Sequence, residues 1–115
     1  MRVLLASEPA APGAPNEDFA AVAPGAAVLL DGAGERPGTD IGCWHGPGWY
    51  AHVLGGFLIA QASWEDAGLA ELLAHGIEHV NGLHAGTCDL RNRRTPGATV
   101  VIARQHADRL DYLVH

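Results

Sequence analysis

Two acidic motifs in the first third of the chain hold its most legible chemistry. Asn16-Glu17-Asp18 and Asp31-Gly32-Ala33-Gly34 are joined by an apolar stretch whose last run, Ala26-Ala27-Val28-Leu29-Leu30, leads straight into Asp31. A strand that ends on a carboxylate followed by glycine leaves that carboxylate at a sheet edge with a free carbonyl beside it. The earlier pair can lie close by on a neighbouring strand. Hard divalent cations bind through oxygen clusters of this kind. Each motif also has a plain structural use, Glu17-Asp18 as a solvated turn and Asp31-Gly32 as the turn that closes a strand.

The histidines offer a competing site. His75 and His79 stand four apart on a predicted helix, with His84 near its end, and helical histidines at that spacing can share a transition metal. No His-Glu-x-x-His pattern surrounds them, and they fall at the flank of the apolar face, where partly exposed histidines are ordinary. Cys43 and Cys88 match no zinc spacing and read as reduced thiols. Antiparallel packing of the two predicted helices would still bring them together, which leaves a disulfide open. Neither cysteine has a histidine arranged in sequence as a base, so a nucleophilic thiol is unsupported. His45, set among glycines, reads as a brace for its loop. Trp44, Trp49 and Tyr50 read as core anchors at a helix start. Arg91, Arg93 and Arg94 read as a solvated loop between a helix and a strand.

Composition narrows the classes around these residues. With 115 residues, 48% apolar and only 17% charged, the chain is one domain's worth, or part of a larger one, and carries enough apolar side chains for a packed core. A formal charge of -6 leaves no basic footprint for nucleic acid. No run approaches the roughly 20 apolar residues of a membrane span. The start, Met1-Arg2-Val3-Leu4-Leu5, meets Glu8 and Pro9 too soon for a signal peptide, so the cytoplasm is the expected compartment.

The elements that must position the motifs follow from period and punctuation. Met1–Ser7 reads as a short strand, followed by a proline- and glycine-rich loop. Phe19–Val22 and Ala26–Leu30 read as strands across a Pro24-Gly25 turn, the second suited to burial on both faces. From Pro47 to Ser63 apolar residues recur at three and four, with Gly55-Gly56 inside a helix marking a close packing contact. Ser63 or Asp66 can cap a second helix whose face is Leu69, Leu72, Leu73, Gly76, Ile77, Val80 and Leu83, ended by Gly86. Ala98–Ala103 and Leu110–Val114 then form a β-hairpin. The order β-β-β-α-α-β-β predicts an α+β layered domain.

Elements and motifs in this order resemble the N-terminal half of the metal-dependent protein phosphatase family, type 2C, especially its small actinobacterial members. Asn16-Glu17-Asp18 resembles the family's first acidic motif, Asp31-Gly32-Ala33-Gly34 its Asp-Gly-x-Gly motif, and Thr95-Pro96-Gly97-Ala98-Thr99-Val100-Val101 the segment that opens a central strand. The resemblance implies a β-sandwich flanked by the helical hairpin, with residues 1–115 as a single, partial domain of that fold. It also implies a dinuclear Mg²⁺ or Mn²⁺ centre that hydrolyses a phosphorylated protein or a small phosphomonoester. Asp31 would bridge the ions, Gly32 would offer its carbonyl, Glu17 would join the metal shell, and Asp18 would orient the attacking water as the catalytic residue. Gly13 stands where the family carries a phosphate-holding arginine, leaving Arg2 as the nearest substitute, and Ala33 stands where many members carry histidine. The family's further metal aspartates belong to a half expected beyond His115, so the chain is expected to be inactive alone. The alternative is a non-catalytic interaction domain that self-associates through an open strand edge or takes a partner protein.

Overall fold

A Pro24-Gly25 turn folds the apolar run of the first third back on itself as a hairpin. In the computed structural model, which describes residues 2–64, 66–84 and 86–115, its arms are β1 (Asp18–Ala23) and β2 (Ala26–Ala33). The chain then crosses a short 3₁₀ turn (Thr39–Ile41), forms α1 (Pro47–Ala62) and α2 (Leu69–His84), and returns as a second hairpin, β3 (Gly97–His106) and β4 (Arg109–Val114). The strands make one four-stranded antiparallel sheet in the order β1-β2-β3-β4, so β1 and β4 are its edges. Both α-helices are accounted for by their sequence signals. Pro47 opens α1, Ser63 closes it instead of capping the next helix, and α2 starts later than expected, with Leu72 N–H bonded to the Gly68 carbonyl.

α1 lies against β1, β2 and β3, while α2 packs on α1 and reaches β4. Apolar residues therefore surround α1, because it has a sheet on one side and a helix on the other. Val28, Leu30, Val100 and Ile102 of the central strands meet Leu54, Leu58 and Ala62 of α1 and Leu72 and Val80 of α2 in one buried cluster. No helix among the described residues is long and apolar enough to cross a membrane.

Three expectations are corrected. Arg2–Ser7 forms no strand, and Met1 lies outside the described residues. Leu4, Leu5 and Ala6 instead run beside the outer face of the sheet, near Ala27, Leu29 and Val101. The observed order is therefore β-β-α-α-β-β, a single sheet with helices on one side. The Ala26–Leu30 run is not buried on both faces, since Leu29 is 51% exposed between fully covered neighbours. Helices cover only one face of an antiparallel sheet here, so alternation decides burial even in a continuous apolar run. Trp44 is also no core anchor, at 64% exposure, whereas Trp49 and Tyr50 pack against the core as expected.

The adjacent glycines of α1 have opposite roles. A Cβ on Gly55 would run into the Phe19 ring, with Cε1 only 2.6 Å away, whereas one on Gly56 would meet nothing within 4 Å. Gly56→Ala should therefore stabilise the chain by about 1 kcal/mol through helix propensity. Gly55→Ala should destabilise it by about 1–3 kcal/mol through overpacking. Urea melts of both, repeated in a Phe19→Ala background, check this: if the penalty at Gly55 survives loss of the ring, the packing account is wrong.

Candidate functional site

The β1–β2 register places the acidic residues. Asp18 lies directly opposite Asp31, and the Gly32 N–H donates to the Glu17 carbonyl at 3.1 Å. Glu17 and Gly32 thus form the hydrogen-bonded pair, and Asp18 and Asp31 form the next, non-hydrogen-bonded pair, where same-face side chains come closest. Leu30 and Phe19 turn toward the core, so the two aspartates occupy the opposite, outer face. The Asn16 side chain holds the turn before them: its oxygen accepts the Asp18 N–H at 3.1 Å, and its amide donates to Ser7 Oγ at 2.8 Å.

Glu17, Asp18, Asp31 and Gly32, the four residues singled out from sequence, line one cleft of about 350 Å³ with Ala10, Ala14, Pro15 and Asn16. Arg2 is exposed and is not among the lining residues. Among the described residues none of the three carboxylates forms an ion pair. Gly32 allows the cleft to close: a Cβ there would strike the Glu17 carbonyl oxygen and come within 2.8 Å of the Pro47 carbonyl oxygen. Gly32, inside β2, therefore lies against the first turn of α1 with no room for a side chain of its own.

A second cluster forms where the start of α1 meets the end of α2. Cys43, His45, His84 and Cys88 place one ligand atom each within 4.8 Å of one another, and among the described residues they are the one group of three or more such side chains able to hold a metal ion. The Gly38 N–H bonds the Cys43 carbonyl at 2.9 Å, and the Asp89 N–H bonds the Gly42 carbonyl at 2.7 Å. The first closes the loop that carries Cys43, and the second ties that loop to the segment that carries Cys88. Trp49 walls the cluster, stacked on His45 at 3.9 Å and edge-on to His84 at 4.7 Å.

The His45 N–H donates to Cys43 Sγ at 3.3 Å, and the Cys43 thiol faces the His45 carbonyl at 3.4 Å. Burial acts upward on the Cys88 thiol, but the Trp44 N–H, together with Cys43, Thr87 and His84, outweighs it and brings its pKa down to about 6. Burial, reinforced by the Cys88 sulfur, pushes Cys43 up. Both cysteines are free.

The sequence left a Cys43–Cys88 contact across the helical hairpin open, and the structure brings the two together with His45 and His84, which neither a zinc cysteine spacing nor a helical histidine pair marks. The available signal was mixed: Cys43-x-His45 at one end of the hairpin and His84-x-x-x-Cys88 at the other. His75 and His79 are exposed, as expected, and His79 stacks on Phe57 at 4.9 Å. Arg91, Arg93 and Arg94 are exposed too, with Arg94 paired to Glu35. No protein-family model, curated protein or solved structure matches the chain.

Proposed function

We propose that the acidic cleft is one half of a Mg²⁺- or Mn²⁺-dependent phosphomonoester hydrolase centre of the type 2C kind, acting on a phosphorylated protein or a small phosphomonoester. The observation that carries this reading is the pairing of Asp18 with Asp31 across β1 and β2 with no ion-paired cation beside them among the described residues. Like charges directly opposite in a sheet are destabilising, so the pair is better explained by a cation it serves than by the sheet. The donors along the cleft are all oxygen, a type that suits hard divalent ions, but the Glu17, Asp18 and Asp31 carboxylates are not gathered around one point as the Cys43 cluster is, so a cation would reach some of them through water. In this reading Asp31 and Glu17 hold the cation, Asp18 orients water, and Asn16 keeps the turn in place. The bound ions would supply Lewis acidity for in-line displacement at phosphorus. With so few protein ligands they stay largely hydrated, so affinity is weak and turnover by this chain slight or absent.

Asp31→Asn separates the site from a merely structural turn. Without metal it should stabilise the chain by about 0.2–1 kcal/mol by relieving the repulsion, and it should abolish Mn²⁺ binding, which in the parent is expected near 10⁻³ M, typical of weak oxygen sites. Any p-nitrophenyl phosphate hydrolysis should follow Mn²⁺ and vanish with it. Metal-independent turnover, or Mn²⁺ binding untouched by the substitution, rejects the proposal.

The outer face of the sheet favours a second reading, that of a non-catalytic interaction domain. Val22, Leu29, Tyr112 and Val114 are all exposed there, and β4 is an open edge. Apolar sheet faces are normally covered by another layer. On this reading the chain self-associates or takes a partner protein, and sedimentation of a monomer at high concentration counts against self-association.

A further inference from the structure

We propose that Cys43, His45, His84 and Cys88 form a closed, four-coordinate Zn²⁺ site that clips the start of α1 to the end of α2. Three sulfur–nitrogen edges of the cluster match those of a tetrahedral zinc site. Zinc–sulfur bonds of about 2.3 Å and zinc–nitrogen bonds of about 2.0–2.1 Å set sulfur–nitrogen edges of about 3.6 Å. The cluster has Cys88 Sγ 3.3 Å from His45 Nδ1, Cys43 Sγ 3.6 Å from His84 Nδ1, and Cys43 Sγ 3.8 Å from His45 Nδ1.

The surroundings favour a metal over a knot of thiol hydrogen bonds. Cys43 and His84 are almost fully buried, and His84 Nε2 has no hydrogen-bond partner, so Nδ1, aimed at the cluster, is the end of that ring put to use. The His45 N–H points at the Cys43 sulfur, a contact that favours anionic over protonated sulfur. Two thiolates, two neutral imidazoles and Zn²⁺ sum to zero charge, which permits burial behind Trp49. Soft sulfur and imidazole donors in a tetrahedron select zinc over the hard ions suited to the acidic cleft. All four positions belong to the protein, so the ion holds structure and does not act on substrate. This site shares no residue with the acidic cleft, and the proposal stands apart from the phosphatase reading.

The full chain, purified in reductant without chelator, should carry one zinc per molecule by elemental analysis. The stripped chain should take up Co²⁺ with the intense ligand-field bands of a tetrahedral site and a thiolate charge-transfer band, while quenching Trp49. Cys88→Ser, at a partly exposed position, and His45→Ala should each weaken Zn²⁺ binding at least ~100-fold, more than loss of an outer-shell partner does. His52→Ala, at an exposed ring bonded to the Gly48 carbonyl, and Asp31→Asn should bind zinc like the parent. Far-UV circular dichroism of the stripped variants reports that they remain folded. A pale six-coordinate Co²⁺ spectrum, a Cys43–Cys88 disulfide with no zinc in the reductant-purified chain, or zinc binding lost in Asp31→Asn but kept in Cys88→Ser overturns the assignment.

Discussion

Saturating Zn²⁺ should raise the melting temperature of the reduced, metal-stripped chain by about 15 °C. A ligand that binds the folded state alone at about 1,000 times its dissociation constant adds about 4 kcal/mol. For a chain of 115 residues each kcal/mol is worth about 4 °C. The effect is large because of where the clip falls. Cys43 and Cys88 lie outside opposite ends of the helical pair, so the ion closes the mouth of a hairpin that the chain itself joins only through the short segment between Ala62 and Leu69. Opening that mouth would release the first turn of α1, whose Pro47 supports Gly32 from beneath. Differential scanning calorimetry of parent and Cys88→Ser, with and without Zn²⁺, reads this directly. The variant should show almost none of the shift, and Mg²⁺ held well below the millimolar affinity expected of the acidic cleft should produce none in either. An equal zinc shift in both proteins would mean that the ion acts elsewhere.

Gly32→Ala should destabilise the chain by about 3 kcal/mol, the upper end of ordinary overpacking penalties, and lower the melting temperature by about 12 °C. The added methyl would sit between two backbone carbonyls, those of Glu17 and Pro47, and neither can rotate away as a side chain could. Either β1 must separate from β2 at Asp18–Asp31 or the first turn of α1 must lift. Both responses disturb the acidic cleft, so any Mn²⁺ affinity should fall with stability. Gly56→Ala, on open helix surface, provides the opposite sign in the same assay. A melting temperature within about 2 °C of the parent for Gly32→Ala would show that the contact is relieved at little cost.

Much of the fold was legible because its signals are local. Pro47 and the three-and-four spacing through Leu54 and Leu58 marked α1, and the Pro24-Gly25 turn marked the first hairpin. The nearness of the two acidic motifs was legible for the same reason, because a hairpin returns its partner strand to the same place, but Asp31 neither ends its strand nor lies on a sheet edge: β2 runs on through Ala33, with Asp31 between Asp18 of β1 and Thr99 of β3. The errors arose where local signals do not decide. Val3-Leu4-Leu5 has strand composition but no neighbour to pair with, and Leu29 belongs to an apolar run whose outer half no helix covers. The apolar period puts Leu83 on the buried face of α2, yet it is 50% exposed and His84 is buried instead. The α2 terminus turns its last buried position toward the cysteine loop.

By itself the sequence determined the α+β class, the helical hairpin and the first β-hairpin that carries both acidic motifs, and it left open the approach of Cys43 to Cys88. Turn residues and periodicity act over a few positions, and each of these outcomes follows from them. Only the tertiary structure decided that His45 and His84 complete a four-atom cage with those cysteines, and that one face of the sheet is covered while the other is open. The cage joins residues on either side of both helices, so its existence depends on how α1 lies on the sheet and how α2 lies on α1. Those angles depend on the fit of the Gly55 backbone over the Phe19 ring and of the Gly76 backbone against Leu54, contacts between residues distant along the chain.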